Sequence, residues 1–97
     1  MALAVPALAQ EHGDATAGQG LALSVCANCH LVRQGQSHPP MDSVPSFSAI
    51  ARDPAMTDAR LSTFLTRPHA PMPNIELSRQ QIADIVSYIG TRRASSQ

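Results

Sequence analysis

The sequence has no lysine and no tryptophan, and its aromatic complement is one tyrosine and two phenylalanines. Seven arginines balance seven acidic residues, so the formal net charge is zero, and no basic stripe indicates nucleic-acid binding. The hydrophobic fraction of 43% excludes a disordered chain. At 97 residues we expect one small domain. Because large side chains are scarce, a bulky apolar group that is not an amino acid would help to fill its core.

The N-terminal stretch MALAVPALAQ differs in character from the rest. Its apolar run and the small-x-small sequence Ala7-Leu8-Ala9 are typical of the end of a signal peptide. The run is too short to span a bilayer. We therefore expect a signal-peptide remnant over 1–9, a single domain over 10–97, and an exported, periplasmic protein without a membrane span in its mature chain. Because no charged segment precedes the run, an apolar tail without a targeting role is the alternative.

Hydrophobic periodicity predicts four helices and no strand, an all-α protein. The helices are predicted over 15–25, 47–51, 58–66 and from Ser78 onward. Asp14 and Thr57 can cap the first and third helices, and Ser78 with Gln81 forms a capping box for the fourth. Pro45 precedes the second, short helix and suits a first helical position.

Residues 26–30 read CANCH and contain both cysteines of the chain. A structural zinc site needs four ligands at set spacing, and none of the other histidines, His12, His38 and His69, falls in such a pattern. A thioredoxin-like redox pair would follow a strand, and no strand is predicted here. Two buried, unreactive cysteines would leave the C-x-x-C-H spacing as a coincidence.

Covalent haem attachment accounts for all three side chains of this motif. Two thiols three residues apart can each add to a vinyl group of one porphyrin, and the adjacent imidazole can reach the iron. We therefore predict that Cys26 and Cys29 attach one haem c and that His30 Nε2 is the proximal ligand.

Five side chains could supply the sixth ligand of the iron: Met41, Met56, Met72, His38 and His69. Met72 is favoured because prolines 68, 71 and 73 stiffen the loop that holds it. His69 is its main rival, and an ordinary core methionine is the alternative interpretation of Met72. A thioether ligand would favour ferrous iron and raise the potential.

These motifs together resemble the class I cytochrome c family, and most of all its small bacterial periplasmic monohaem members. The similarity covers 13–89 and rests on four pieces in order: GDATAG leading into CANCH, VPSF, PHAPMPN and LSRQQIADIVSYI. The resemblance implies a cytochrome c fold, with about four short helices wrapped around one covalently attached haem and with crossing N- and C-terminal helices. It also implies an electron carrier rather than an enzyme.

The resemblance also implies roles for individual residues. The carbonyl of Pro45 should accept a hydrogen bond from His30 Nδ1, Gly18 should let the last helix cross the first, and Tyr88 should pack at that crossing. Ala22 stands where the family usually has an aromatic partner for the tyrosine. An arginine could donate to the haem propionates, and the choice among Arg33, Arg52 and Arg67 stays open.

The expected partners are a redox donor and a redox acceptor, and the chain is expected to be a monomer or a small subunit of a complex. Two alternatives remain open: a haem enzyme or gas sensor with a displaceable distal ligand, and an obligate electron-relay subunit of a larger oxidoreductase. The predicted apolar shell around the haem consists of Leu31, Val32, Phe47, Ile50, Leu61, Phe64, Leu65, Ile75, Leu77, Ile85 and Ile89.

Overall fold

The structure is a computed structural model and describes residues 12–67, 72 and 75–94. Four α-helices run through this part of the chain: α1 at Ala15–Val25, α2 at Phe47–Arg52, α3 at Asp58–Thr66 and α4 at Arg79–Thr91. Short 3-10 turns follow α1 at Cys26–Asn28 and α4 at Arg92–Ala94. No β-strand occurs in these residues, and the all-α prediction is confirmed. The predicted signal-peptide remnant over 1–9 and His69 lie outside the described residues.

Polar side chains cap the first three helices. The Asp14 carboxylate accepts hydrogen bonds from two N–H groups in the first turn of α1, and the Thr57 hydroxyl accepts one in α3. Both helices have the predicted bounds. The short helix α2 differs, because Ser46 caps it and Pro45 therefore lies outside the helix, before the cap. It also ends one residue later than predicted, at Arg52.

Helix α4 begins with the predicted capping box. The Ser78 hydroxyl accepts from the Gln81 N–H at 3.0 Å, and Gln81 Oε1 accepts from the Ser78 N–H at 2.8 Å. This exchange satisfies two N–H groups that have no partner inside the helix. The apolar face that follows is buried, with Ile85 at 1% exposure. Because that face must be covered, α4 packs on the rest of the chain.

The contact between α1 and α4, here called the helix crossing, is the most extensive helix contact in the described chain. A Cβ atom on Gly18 would overlap the backbone carbonyl of Asp84, so the glycine allows the two backbones to meet. The Asp84 side chain accepts from the Asp14 N–H at 2.8 Å and from Gln80 Nε2 at 2.8 Å. The crossing that the resemblance implied is therefore present, and a buried carboxylate joins its two helices.

The hydrophobic core contains residues from all four helices and from the CANCH segment. Its buried members are Ala22, Cys26, Ala27, Val32, Phe47, Ala51, Leu61, Ile82, Ile85, Val86, Tyr88 and Ile89. Ile50, Leu65 and Leu77 are partly buried against this cluster. Phe64, which is expected in the apolar shell around the haem, is 37% exposed on the protein chain. Leu61 and Leu65 form the inward stripe of α3, and Phe64 lies at the edge of that stripe.

Candidate functional site

The CANCH segment, residues 26–30, forms a tight turn directly after α1. The carbonyl of Cys26 accepts from the N–H groups of Cys29 at 3.1 Å and His30 at 2.8 Å. These two bonds close the 3-10 turn. They place Cys26, Cys29 and His30 on one short piece of backbone, as the motif spacing predicts.

Both cysteines are free thiols, with Cys26 buried and Cys29 half-buried. Burial raises the pKa of the Cys26 thiol to about 11, and the neighbouring Cys29 adds to the rise. Cys26 therefore remains a protonated thiol at neutral pH. Thiols are the reactants that covalent attachment to a vinyl group requires.

His30 is fixed by a hydrogen bond on one ring nitrogen and by an aromatic neighbour. Its Nδ1 lies 2.6 Å from the carbonyl oxygen of Pro45, and because a carbonyl can only accept, Nδ1 carries the proton. Nε2 then keeps its lone pair available for a metal. The Phe47 ring packs against the imidazole, with centroids 5.6 Å apart. The contact that the resemblance implied between His30 and Pro45 is thus present in the fold.

The loop after CANCH folds back onto it. The Met41 N–H donates to the carbonyl of Cys29 at 2.9 Å. The side chain of Gln36 donates from Nε2 to the carbonyl of His30 at 2.9 Å. Backbone carbonyls that leave a helix need partners elsewhere, and here residues six and twelve positions away in sequence provide them.

Residues further along the chain donate hydrogen bonds to the backbone carbonyls of the two residues after His30. The Phe47 N–H donates to the carbonyl of Leu31 at 2.9 Å, at the start of α2. The Tyr88 hydroxyl, on α4, donates to the buried carbonyl of Val32 at 3.1 Å. The Tyr88 ring also packs against Phe47, with centroids 6.2 Å apart. The backbone around His30 is therefore tied to both α2 and α4.

The described candidates for a sixth ligand occupy different environments. Met41 is 56% exposed beside Cys29, and His38 is exposed in the same loop. Met56 packs partly against the core, and its carbonyl accepts from Arg93 at 3.1 Å. Met72 is half-buried. The structure gives no contact that joins any of the four to His30.

An open groove runs along α3 and borders the exposed face of Phe64. Arg67, one of the three candidate arginines for the propionates, lines this groove together with Arg60. Arg33 lies elsewhere, in the loop after CANCH, where its N–H donates to Gln36 Oε1 at 3.3 Å. The groove thus combines an apolar ring with two cationic side chains, one of which the sequence interpretation did not include.

The donor set fits haem c better than the alternative metal site. Within residues 12–67, 72 and 75–94, no group of three or more His, Cys, Asp or Glu side chains could hold a metal ion. That finding disfavours zinc, which needs four protein ligands in a structural site. Two thiols and an imidazole with a free Nε2 suit attachment and axial ligation instead.

Two polar residues with structural roles escaped the sequence interpretation. Asp84 is 8% exposed and ties the helix crossing together. Its position four residues before Tyr88 places it on a face of α4 that could be buried, and this was the available signal. Gln36 forms several hydrogen bonds around His30, and nothing in the Gln- and Ser-containing loop distinguishes it from Gln34.

Comparison with known proteins adds the family context. A sequence model of the family described as cytochrome c oxidase, cbb3-type, subunit III matches residues 13–89. The curated cytochrome c-552 of Bradyrhizobium diazoefficiens is 45% identical over 80 residues, which cover 82% of this chain and 76% of the relative. No solved structure matches. The matched span includes both helices of the crossing and the whole CANCH segment.

None of the helices in the described ranges combines the length and the apolar character that crossing a bilayer requires.

Proposed function

Because this chain belongs to the cytochrome c family described as subunit III of cbb3-type cytochrome c oxidase, we propose that it is a one-electron carrier in which Cys26 and Cys29 attach the haem and His30 and Met72 bind its iron. Family membership itself gives one covalently attached haem c per chain. It also gives electron transfer, rather than enzymatic catalysis, as the general activity.

The hydrogen bond from His30 Nδ1 to the Pro45 carbonyl, 2.6 Å long, carries the proposal for the proximal side. It holds the proton on Nδ1, keeps Nε2 as the ligand atom and increases the basicity of the imidazole. Phe47, 3% exposed, packs against the same ring and excludes water from that side. These two contacts orient His30 as an axial ligand, whichever side chain supplies the second one.

The positions of the rival side chains support Met72 as the second axial ligand. Met41 and His38 are exposed in the loop that is bonded to the CANCH segment. Met56 is held beside α3 by a bond from its N–H to Asp53 and one from Arg93 to its carbonyl. Met72 is half-buried in the proline-containing loop that follows α3, and a thioether there would favour the ferrous state.

The haem, when bound, supplies one-electron exchange between ferric and ferrous iron. The chain would hold the same two axial ligands in both oxidation states, which keeps the structural change on electron transfer small. If side chains fill both axial positions, the iron would have no open site for dioxygen. This arrangement suits a carrier.

We further propose that the protein is exported to the periplasm and exchanges electrons with separate redox proteins. The apolar segment and the Ala7-Leu8-Ala9 sequence support export. The family description, which names an oxidase subunit, favours one second candidate: a small relay subunit inside a larger oxidoreductase. Co-purification of the untagged partner at native expression levels would favour the relay subunit, and isolation as a free monomer would favour the diffusing carrier.

Optical spectra of the haem-loaded protein test the axial ligands. The ferric protein should be low-spin with the weak absorption band of methionine-sulfur ligation, and the ferrous protein should not bind carbon monoxide readily. Met72→Ala should lose this band, bind carbon monoxide and show a lower potential. Met41→Ala and Met56→Ala are matched controls that should keep it. The proposal would be contradicted by high-spin iron in the parent protein, or by a low-spin parent spectrum that lacks this band, persists in Met72→Ala and is lost in His69→Ala.

A further inference from the structure

The side chain of Gln36 forms hydrogen bonds with several backbone groups around His30. Its Oε1 accepts from the N–H groups of Val32 at 2.7 Å and Arg33 at 3.3 Å. Its Nε2 donates to the carbonyls of His30 at 2.9 Å and His38 at 2.8 Å. A third carbonyl, that of Ala27, lies 3.4 Å from the same nitrogen.

The partners fix the orientation of this amide. A primary amide has two N–H donors and one oxygen with two lone pairs, and here the oxygen faces two backbone N–H groups while the nitrogen faces carbonyls. The two short donations use both hydrogens of Nε2, so the contact with Ala27 is the weakest. A flipped amide would place oxygen against carbonyls and nitrogen against N–H groups, which excludes that alternative.

These bonds hold the backbone of His30, and of the residues that follow it, in one position. Gln36 holds the carbonyl of His30 itself and the N–H of Val32, two residues further on. The imidazole is held separately, through Nδ1, by the Pro45 carbonyl. Because the Nδ1 bond requires the ring and Pro45 to keep their separation, movement of the His30 backbone would lengthen it.

We propose that Gln36 is a positioning residue for the proximal ligand: by fixing the backbone of His30 it maintains the short bond from Nδ1 to Pro45 and so lowers the reduction potential of the iron. The inference rests on the proposed axial role of His30. A strong Nδ1 bond makes the imidazole a better donor, which stabilises ferric iron more than ferrous iron. Loss of the hydrogen bonds from the Gln36 side chain therefore favours the ferrous state.

The experiment uses neutral substitutions, so that no new charge acts on the iron. Gln36→Met keeps the length of the side chain and removes its hydrogen bonds, whereas Gln36→Asn keeps the amide on a shorter chain. Gln34→Met is the matched control, because Gln34 is exposed in the same loop and has no side-chain hydrogen bond among the described residues. Gly18→Ala, which changes no charge and acts at the helix crossing, controls for general destabilisation.

Two readouts on the haem-loaded proteins separate positioning from stability: the reduction potential and the NMR shifts of the haem methyl groups in the ferric state, which report the orientation of the axial imidazole. Replacing a group bonded to a metal ligand typically changes affinity or activity 10- to 100-fold. Since Gln36 is one step further away, we expect Gln36→Met to favour ferrous iron about threefold, which is about 30 mV at 59 mV per tenfold. The NMR shifts of the haem methyl groups should change in this variant. In Gln36→Asn, the potential and the haem methyl shifts should change less, in the same direction.

The controls should keep the parental potential and methyl shifts, even if Gly18→Ala unfolds more easily. Parental values in Gln36→Met, together with lowered stability, would overturn the proposal and leave Gln36 a purely structural role. If Gln36→Met does not acquire haem, Gln36→Asn decides: a raised potential supports the proposal, and a parental one overturns it. Failure of both to acquire haem, with normal loading of Gln34→Met, would also overturn it. A parent protein without His30 ligation would instead refute the proposed function.

Discussion

The helix crossing and the proximal segment, defined as residues 26–47, are held together in different ways. At the crossing, two regular helices meet over a glycine, and apolar side chains cover the contact. The proximal segment has little regular structure before α2, and single hydrogen bonds from Gln36, Met41 and Tyr88 hold its backbone. The crossing therefore depends on shape, and the proximal segment depends on a few polar atoms. Substitutions in the two regions should therefore differ in the property that they change, as well as in the free energy of unfolding that they cost.

The largest expected effect is at the crossing. Gly18→Ala places a methyl group against the backbone of Asp84, and since neither backbone can yield without separating the helices, we expect a loss of about 3 kcal/mol. Gly20→Ala is the control, because a Cβ atom there meets nothing within 4 Å and should stabilise α1 by about 1 kcal/mol. Denaturant unfolding of the haem-loaded proteins measures both. Similar unfolding free energies for the two variants would show that the close approach of the α1 and α4 backbones does not require glycine at position 18.

The next effect concerns the buried polar link across the same contact. Asp84→Ala removes the acceptor for the Asp14 N–H and for Gln80 Nε2, and the resulting unpaired donors should cost about 2 kcal/mol. Asp84→Asn keeps an oxygen acceptor and should lose less. The same unfolding measurement distinguishes them. If alanine and asparagine were equivalent, the carboxylate would act through its volume rather than through its hydrogen bonds.

A smaller effect is expected where the crossing and the proximal segment meet. Tyr88→Phe keeps the ring packed on Phe47 and removes the hydroxyl that donates to the buried carbonyl of Val32. Leaving that carbonyl unpaired should cost about 1 kcal/mol. Hydrogen exchange should show faster opening of the N–H groups after His30, with little change in the first turns of α1. Uniform acceleration in both regions would mean that they open as one unit.

The smallest effect is expected outside both regions. Arg93 forms an ion pair with Asp58 at 2.9 Å, and the two side chains are 36% and 67% exposed. Exposed pairs contribute little, so Arg93→Ala should cost about 0.5 kcal/mol. Added salt should narrow the difference from the parent protein, because it screens exposed charges. A cost that persists in high salt would point instead to the bond from Arg93 to the Met56 carbonyl.

The regular part of the fold could be predicted from sequence because its signals are local. Asp14 and Thr57 cap helices whose bounds were predicted to the residue, and the CANCH spacing indicated covalent haem by itself. The residue that caps α2 was missed, because Pro45 and Ser46 are adjacent and each is typical of a helix start.

The contacts of the proximal segment could not be predicted in the same way. Gln36 and Gln34 are chemically identical and two residues apart, and only the path of the folded backbone decides which amide faces the carbonyls. The exposure of Phe64 has a related cause: on a short helix, the residue at the edge of an apolar stripe can face either the core or a groove. Periodicity describes a face, and it does not fix the boundary of that face.

The bond from Tyr88 to Val32 joins residues 56 positions apart, and the bond from Asp14 to Asp84 joins residues 70 apart. Neither contact can form until α4 has been synthesised. The haem attachment motif, in contrast, consists of five consecutive residues. A growing chain therefore contains both thiols and the imidazole well before it contains Tyr88 and Asp84, through which the last helix holds the surroundings of His30 and the helix crossing.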